Sequence, residues 1–121
     1  MITESDLQRE IMALLRRRGL VVLRLNSGRV KLDAGRWLNL CPPGTPDLLV
    51  VLPGGASGWI ECKTAAGKLS AVQAEFQSDL AGLGHSVLVA RSPLDVVDWL
   101  DQHNHQTNRE REVICSSPIR R

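Results

Sequence analysis

Residues 44–63 read GTPDLLVVLPGGASGWIECK, with Asp47, Glu61 and Lys63 at the outer ends of two apolar runs. PGGASG between them supplies a turn, so DLLVVL and WIECK form an antiparallel hairpin folding about Gly55-Ala56. That register sets Asp47 across from the region of Glu61 to Lys63. Side chains alternate along a strand, which puts Glu61 and Lys63 on one face and Cys62 on the other. DLLVVL is apolar on both faces, as a central strand would be. An ionised carboxylate in such company is costly unless something positive compensates it. Two carboxylates converging beside a lysine suit a hard divalent cation such as Mg²⁺. A surface hairpin with an ordinary Glu-Lys pair accounts for the same letters.

Upstream, TESDLQREIMALLRRRG carries Leu7, Ile11, Leu14 and Leu15 at helical spacing, with Thr3 as N-cap and Gly19 as stop. LVVLRLN reads as a strand, and RVKLDAGRWLNL as a hairpin turning at Asp33-Ala34-Gly35. Downstream, a helix starts at Ser70, which stands at capping-box spacing from Gln73, and ends at Gly82 or Gly84. SVLVA is a further strand. SPLDVVDWLDQ opens a helix with Ser92 at the cap, Pro93 at N1 and Asp95 at N3. The order predicts an α/β domain over residues 1–102, a mixed central sheet flanked by helices, followed by a polar, irregular and mobile tail over 103–121.

The 121 residues are 43% hydrophobic and 23% charged, an ordinary globular balance for one domain. No apolar run approaches the roughly 18 residues of a membrane span, so no membrane partner is expected. The opening MITESDLQRE has no basic flank before an apolar region, which is unlike a secretory signal and makes the cytoplasm the expected location. Cys41, Cys62 and Cys115 form no C-x-x-C pair, so zinc and redox chemistry are not indicated and idle thiols are expected. Charge is segregated: eight Lys/Arg against four Asp/Glu in residues 1–36, three against seven in 37–108, and four against two in 109–121. Basic ends around an acidic middle fit a polyanion gripped at the ends, and solvated surface charge fits equally.

Gly44-Thr45-Pro46-Asp47, then 13 intervening residues, then Glu61-Cys62-Lys63 resembles the PD-(D/E)xK nuclease signature, and more narrowly that of the VRR-NUC (virus-type replication-repair nuclease) domain. ESDLQ resembles that family's E-x-x-hydrophobic-Q opening, and RLNSG its Arg-Asn-rich stretch ending in Gly. Gln73 lies at its glutamine in the helix after E-x-K. The similarity spans residues 3 to 102. It implies a small restriction-endonuclease-like fold and metal-dependent hydrolysis of DNA phosphodiester bonds, with Mg²⁺ as the metal and Mn²⁺ as a substitute. Carried across, Asp47 and Glu61 become metal ligands, Lys63 positions the nucleophilic water, Glu4 is a further acidic metal-site residue and Gln73 supports the site. Glu10 competes with Glu4, but Glu4 falls within the stripe of Leu7, Ile11 and Leu15 and Glu10 at its edge. A favourable first-turn charge accounts for Glu4 without a site, and the capping box does so for Gln73. Gly44 and Pro46 shape the entry to the Asp47 strand and nothing more. Free-standing VRR-NUC domains resemble branched-DNA resolving enzymes, which implies a homodimer acting on Holliday junctions in phage-type replication, recombination or repair. The alternatives are a nuclease subunit of a larger helicase or restriction-type assembly and a non-catalytic DNA-binding module.

Arg24, Asn26, Ser27, Arg29, Lys31 and Arg36 are the expected nucleic-acid contacts, because a cationic hairpin readily enters a groove. Arg16, Arg17 and Arg18 sit at the negative end of the first helix dipole, which explains them without DNA. Trp37 has two readings, stacking on an exposed base and packing in the core, and the core is the one expected. With one Phe and no Tyr the chain has little material for stacking single strands, which favours duplex or branched DNA recognised by shape. PGGASG lacks the Lys-Ser/Thr of a phosphate loop. His103-Asn104-His105 belongs to the polar tail, and His85 to a turn.

Overall fold

The structure, a computed structural model, describes residues 2–116 and the side chains of residues 2–104. The side chains of His105 and Cys115 and residues 117–121 of the expected tail lie outside what is described. The first helix, α1 (Glu4–Arg17), begins where the Thr3 hydroxyl accepts the Asp6 N–H at 3.1 Å and the Asp6 carboxylate accepts the Thr3 N–H at 3.3 Å. It ends at Gly19, whose φ of 77° turns the chain out of the helix. Leu7, Ile11 and Leu15, spaced by four residues, are its buried face.

Strand β1 (Val21–Arg24) follows, then the hairpin of β2 (Arg29–Lys31) and β3 (Trp37–Asn39), strand β4 (Leu48–Val51), a single 3₁₀ turn at Pro53–Gly55 and strand β5 (Ser57–Cys62). Helix α2 (Ala71–Gly82), strand β6 (Ser86–Ala90) and helix α3 (Pro93–Ser116) complete the order. The sheet is mixed, in the order β1-β4-β5-β6. Its β1–β4 and β4–β5 pairs are antiparallel and its β5–β6 pair is parallel, because α2 carries the chain back between the last two. The expected hairpins about Gly55-Ala56 and about Asp33-Ala34-Gly35 are both present.

Residues opposed across strands share a face, so Val22 and Val50, Leu48 and Ile60, and Cys62 and Ala90 form one surface of the sheet. All six are buried, together with Leu7, Ile11 and Leu15 of α1 and Val96 and Leu100 of α3. The core therefore lies between that surface and the α1/α3 pair. Leu23, Leu49, Val51 and Trp59 share the other surface, where Leu49 and Trp59 are half-buried and Leu23 and Val51 exposed. DLLVVL is thus central in the sheet, but it is fully covered on one face only.

Two further expectations are corrected. The backbone remains helical through Ser116, past the His103 boundary assigned to an irregular tail. Residues 94–117 contain neither Gly nor Pro, and the Gln, Arg and Glu among them are good helix formers whatever their polarity. Trp37 is half exposed on the hairpin instead of packed in the core, because β2 and β3 pair only with each other. Among the described residues, no helix is long and apolar enough to cross a membrane.

Candidate active site

Asp47 and Glu61 meet where β4 and β5 run side by side, one step beyond the Leu48/Ile60 pair. The Asp47 carboxylate is fixed by the Cys62 backbone N–H, which donates to Oδ2 at 2.8 Å, and the Asp47 carbonyl accepts the Leu25 N–H at 2.8 Å. Gly44 sets the approach to this strand. Its φ is 88°, and a Cβ there would lie 2.7 Å from the Val72 carbonyl oxygen. Glycine is therefore required both for the turn and for the close passage of α2. The Thr45 hydroxyl closes the same turn by donating to the Pro42 carbonyl at 2.6 Å.

Cys62 points into the core, so Glu61 and Lys63 on either side of it point away, as alternation predicts. Lys63 is tied to the end of β6 by its N–H, which donates to the Ala90 carbonyl at 3.0 Å. Its Nζ stands 3.8 Å from Glu61 Oε1, with the lysine side chain 12% exposed and the glutamate 2%. Gln73 Nε2 donates to the same Oε1 at 3.2 Å, while Gln73 Oε1 accepts the Ser70 N–H at 2.9 Å. Gln73 thus caps α2 and bonds Glu61 at once, because a carboxamide has an acceptor end and a donor end.

Glu4, the first residue of α1, completes the cluster. One carboxylate oxygen from each of Glu4, Asp47 and Glu61 lies within 4.8 Å of the others, and Glu10 is not among them. Glu61 Oε2 is buried and has no hydrogen-bond partner among the described residues. Burial first, and then the charge of Asp47, push the Glu61 carboxyl up to about 8 against the pull of Lys63, with Glu4 adding to the rise. A buried carboxylate with one orphaned oxygen and two acidic neighbours has the donor chemistry of a cation site. Three hard oxygens in this arrangement can hold a metal ion. Burial, then Asp47, also push the Cys62 thiol up to about 12, which leaves it an inert core residue as expected.

The remaining expected contacts lie outside this cluster. Arg24, Asn26, Ser27, Arg29, Lys31 and Arg36 are all exposed, on β1, the loop after it and the hairpin. Arg36 pairs with Asp33 at 3.4 Å, and the Arg29 guanidinium lies 4.6 Å from the centre of the Trp37 ring. His85, expected in a turn, stands just before β6 and shares a hydrogen bond of 3.0 Å with the Ser57 hydroxyl. The sequence reading had no place for Arg91. Its Nη1 donates to the carbonyls of Thr64 and Gly67, each at 2.7 Å, and so holds the loop that follows Lys63. The only sequence signal for it is an arginine at the end of an apolar strand, which means nothing until β6 is known to lie beside β5.

No family model matches the sequence, and no curated protein does. A solved structure of a VRR_NUC domain is similar to this chain, at 25% identity and a TM-score of 0.59, over 83% of this chain and 95% of that one. The mixed sheet flanked by helices, with an acidic cluster at the β4/β5 pair, defines a nuclease domain of the α/β class. Within that class its fold is that of the VRR_NUC domain, the likeness its sequence resemblance implied.

Proposed function

We propose that this domain is a Mg²⁺-dependent, structure-selective DNA endonuclease. Its substrate in this reading is branched DNA such as a Holliday junction, met as a homodimer during phage-type replication, recombination or repair in the host cytoplasm. The observation that carries the proposal is the convergence of Glu4, Asp47 and Glu61 within 4.8 Å of one another, with Lys63 3.8 Å from Glu61.

In this reading Asp47, Glu61 and Glu4 hold the metal, Mg²⁺ natively and Mn²⁺ as a substitute. When bound, such a cation polarises a phosphoryl oxygen and lowers the pKa of a water molecule. Asp47 contributes a carboxylate whose direction is preset by the Cys62 N–H, so little ordering is left for the moment of binding. Gln73 fixes Glu61 in the same way through Oε1, which leaves the orphaned Oε2 for the metal. Lys63, largely buried beside Glu61, orients the attacking water and offers positive charge to the phosphate as negative charge develops. Symmetric scission of a four-way junction needs two such sites related by a two-fold axis, hence the dimer.

The test is cleavage of matched four-way-junction, flap, duplex and single-stranded DNAs with Mg²⁺, with EDTA, and by Asp47→Asn. Paired symmetric nicks at the junction, lost in both controls, are the expected result. Binding without scission of any substrate would move the assignment to a DNA-binding module or to a subunit that needs a larger assembly.

A further inference from the structure

Every residue from Arg29 to Asn39 is exposed, yet this stretch holds four large apolar side chains. Trp37 is 51% exposed, Leu38 48%, Val30 45% and Leu32 40%. Register sorts the hairpin into two faces. Arg29 opposes Asn39 and Lys31 opposes Trp37, while Val30 opposes Leu38 in between. One face therefore presents an indole between two cations and an amide, and the other is aliphatic. Arg29 lies against the Trp37 ring, an arrangement that holds the indole in place while half of the residue's surface remains open.

The hairpin stands close to the acidic cluster. Leu25 is bonded to the Asp47 carbonyl, and the next residue, Asn26, accepts the Cys41 N–H at 2.9 Å across the base of the arm. Gly28 and Cys41 tighten that base through the Gly28 N–H to the Cys41 carbonyl at 3.0 Å. At about 3.3 Å per residue, Arg29 lies within roughly 13 Å of Leu25, which keeps the base of the arm near the acidic cluster. The arm's charge suits a polyanion, since Asp33 is its one acidic residue and is engaged by Arg36.

We infer that the β2–β3 hairpin reads interrupted base stacking at a branch: Trp37 stacks on an unstacked base while Arg29 and Lys31 engage the flanking phosphates. This rests on the nuclease reading above and adds the feature that selects the substrate. A fully stacked duplex offers its phosphates to the two cations but no base face to the indole, so discrimination falls on Trp37 and general affinity on Arg29 and Lys31.

The experiment compares wild type, Trp37→Ala, Trp37→Phe and an Arg29→Ala/Lys31→Ala double variant. Binding is measured in EDTA to a duplex, to the same duplex with one unpaired thymine and to a flap, and melting temperature is followed throughout. Trp37→Ala is expected to lose about tenfold in affinity for the thymine-bulged and flapped DNAs and less than about twofold for the duplex. Trp37→Phe should recover most of that loss, whereas the double variant should weaken binding to all three and flatten its salt dependence. Equal loss on every DNA for Trp37→Ala, or no loss on any while wild type binds and cleaves, overturns the stacking role and leaves the nuclease reading intact. Wild-type protein that neither binds nor cleaves any of the DNAs removes both.

Discussion

Gln73 donates its one carboxamide nitrogen to Glu61 Oε1 at 3.2 Å. The direction is forced, because the oxygen of the same amide is occupied by the Ser70 N–H, so only the NH₂ end is left to face the carboxylate. The cap of α2 and the orientation of the buried glutamate are therefore one structure. Ser70→Ala removes half of the cap and should cost about 1 kcal/mol of stability with metal affinity nearly unchanged. Gln73→Ala should cost a similar amount of stability and lower Mg²⁺ and Mn²⁺ affinity by about tenfold or more. Calorimetric titration and thermal melts on both variants separate these effects. Equal metal affinity in the two would reduce Gln73 to a capping residue.

The raised Glu61 carboxyl makes the metal-free protein pH-sensitive. Its value of about 8 in the folded chain lies above the ordinary 4.5, so between those limits the folded state binds more protons than the unfolded one. Stability must then fall as pH rises through that window. Melting temperature in EDTA should decline from about pH 5 to about pH 8, and the decline should flatten in Glu61→Gln. Cations compete with the same proton, so millimolar Mg²⁺ should raise the melting temperature more at pH 8 than at pH 6. A metal-induced shift that is absent, or independent of pH, would refute the assignment of Glu61 as a ligand.

The site was legible in the sequence where its logic is local. Alternation along WIECK puts Glu61 and Lys63 on one face, a glycine turn returns the strand to Asp47, and Ser70 with Gln73 spells a cap. Each rule spans a few residues and each is borne out in the structure. Helix periodicity likewise turns Glu4, rather than Glu10, toward Asp47 and Glu61. What the sequence did not disclose depends on parallel or long-range neighbours. Gly44 looked like a turn residue, yet it is also where α2 passes at contact distance. A large aromatic in a β-pattern is usually buried, yet Trp37 is half exposed. Nothing in its neighbours reveals that the hairpin joins no sheet beyond itself. The helix through Ser116 is carried by helix propensity and not by an apolar stripe, so low hydrophobicity conceals it.

Gly58 is a point of close packing between β5 and α3. A Cβ there would lie 2.1 Å from Trp99 Cη2 and 2.5 Å from Cζ2, and the indole cannot simply swing away because its N–H donates to the Ser86 hydroxyl at 2.8 Å. Gly58→Ala should therefore destabilise the fold by about 2–3 kcal/mol, with metal affinity retained because Glu61 is three residues further along the strand. Adding Trp99→Leu should restore part of the loss, a coupling that a double-mutant cycle in urea measures directly. Strict additivity would mean that the strand shifts instead of clashing.

Arg91 links the far edge of the sheet to the residue after the lysine. Its backbone N–H donates to Asp95 Oδ2 at 2.8 Å, which anchors it to the start of α3, while Nη1 reaches the carbonyls of Thr64 and Gly67. Those two carbonyls belong to the loop that leaves Lys63, so the guanidinium limits how far the lysine backbone can drift. Asp47 and Glu61 are held by other bonds and should not feel its loss. Arg91→Ala is expected to speed amide exchange across residues 64–68 and to lower the cleavage rate at saturating DNA by about tenfold, with Mg²⁺ affinity within about twofold of wild type. Loss of metal affinity in parallel with rate would show that the clamp supports the whole cluster. Unchanged exchange in the loop would show that the loop is held without it, and Lys63 would then owe its position to the Ala90 bond alone.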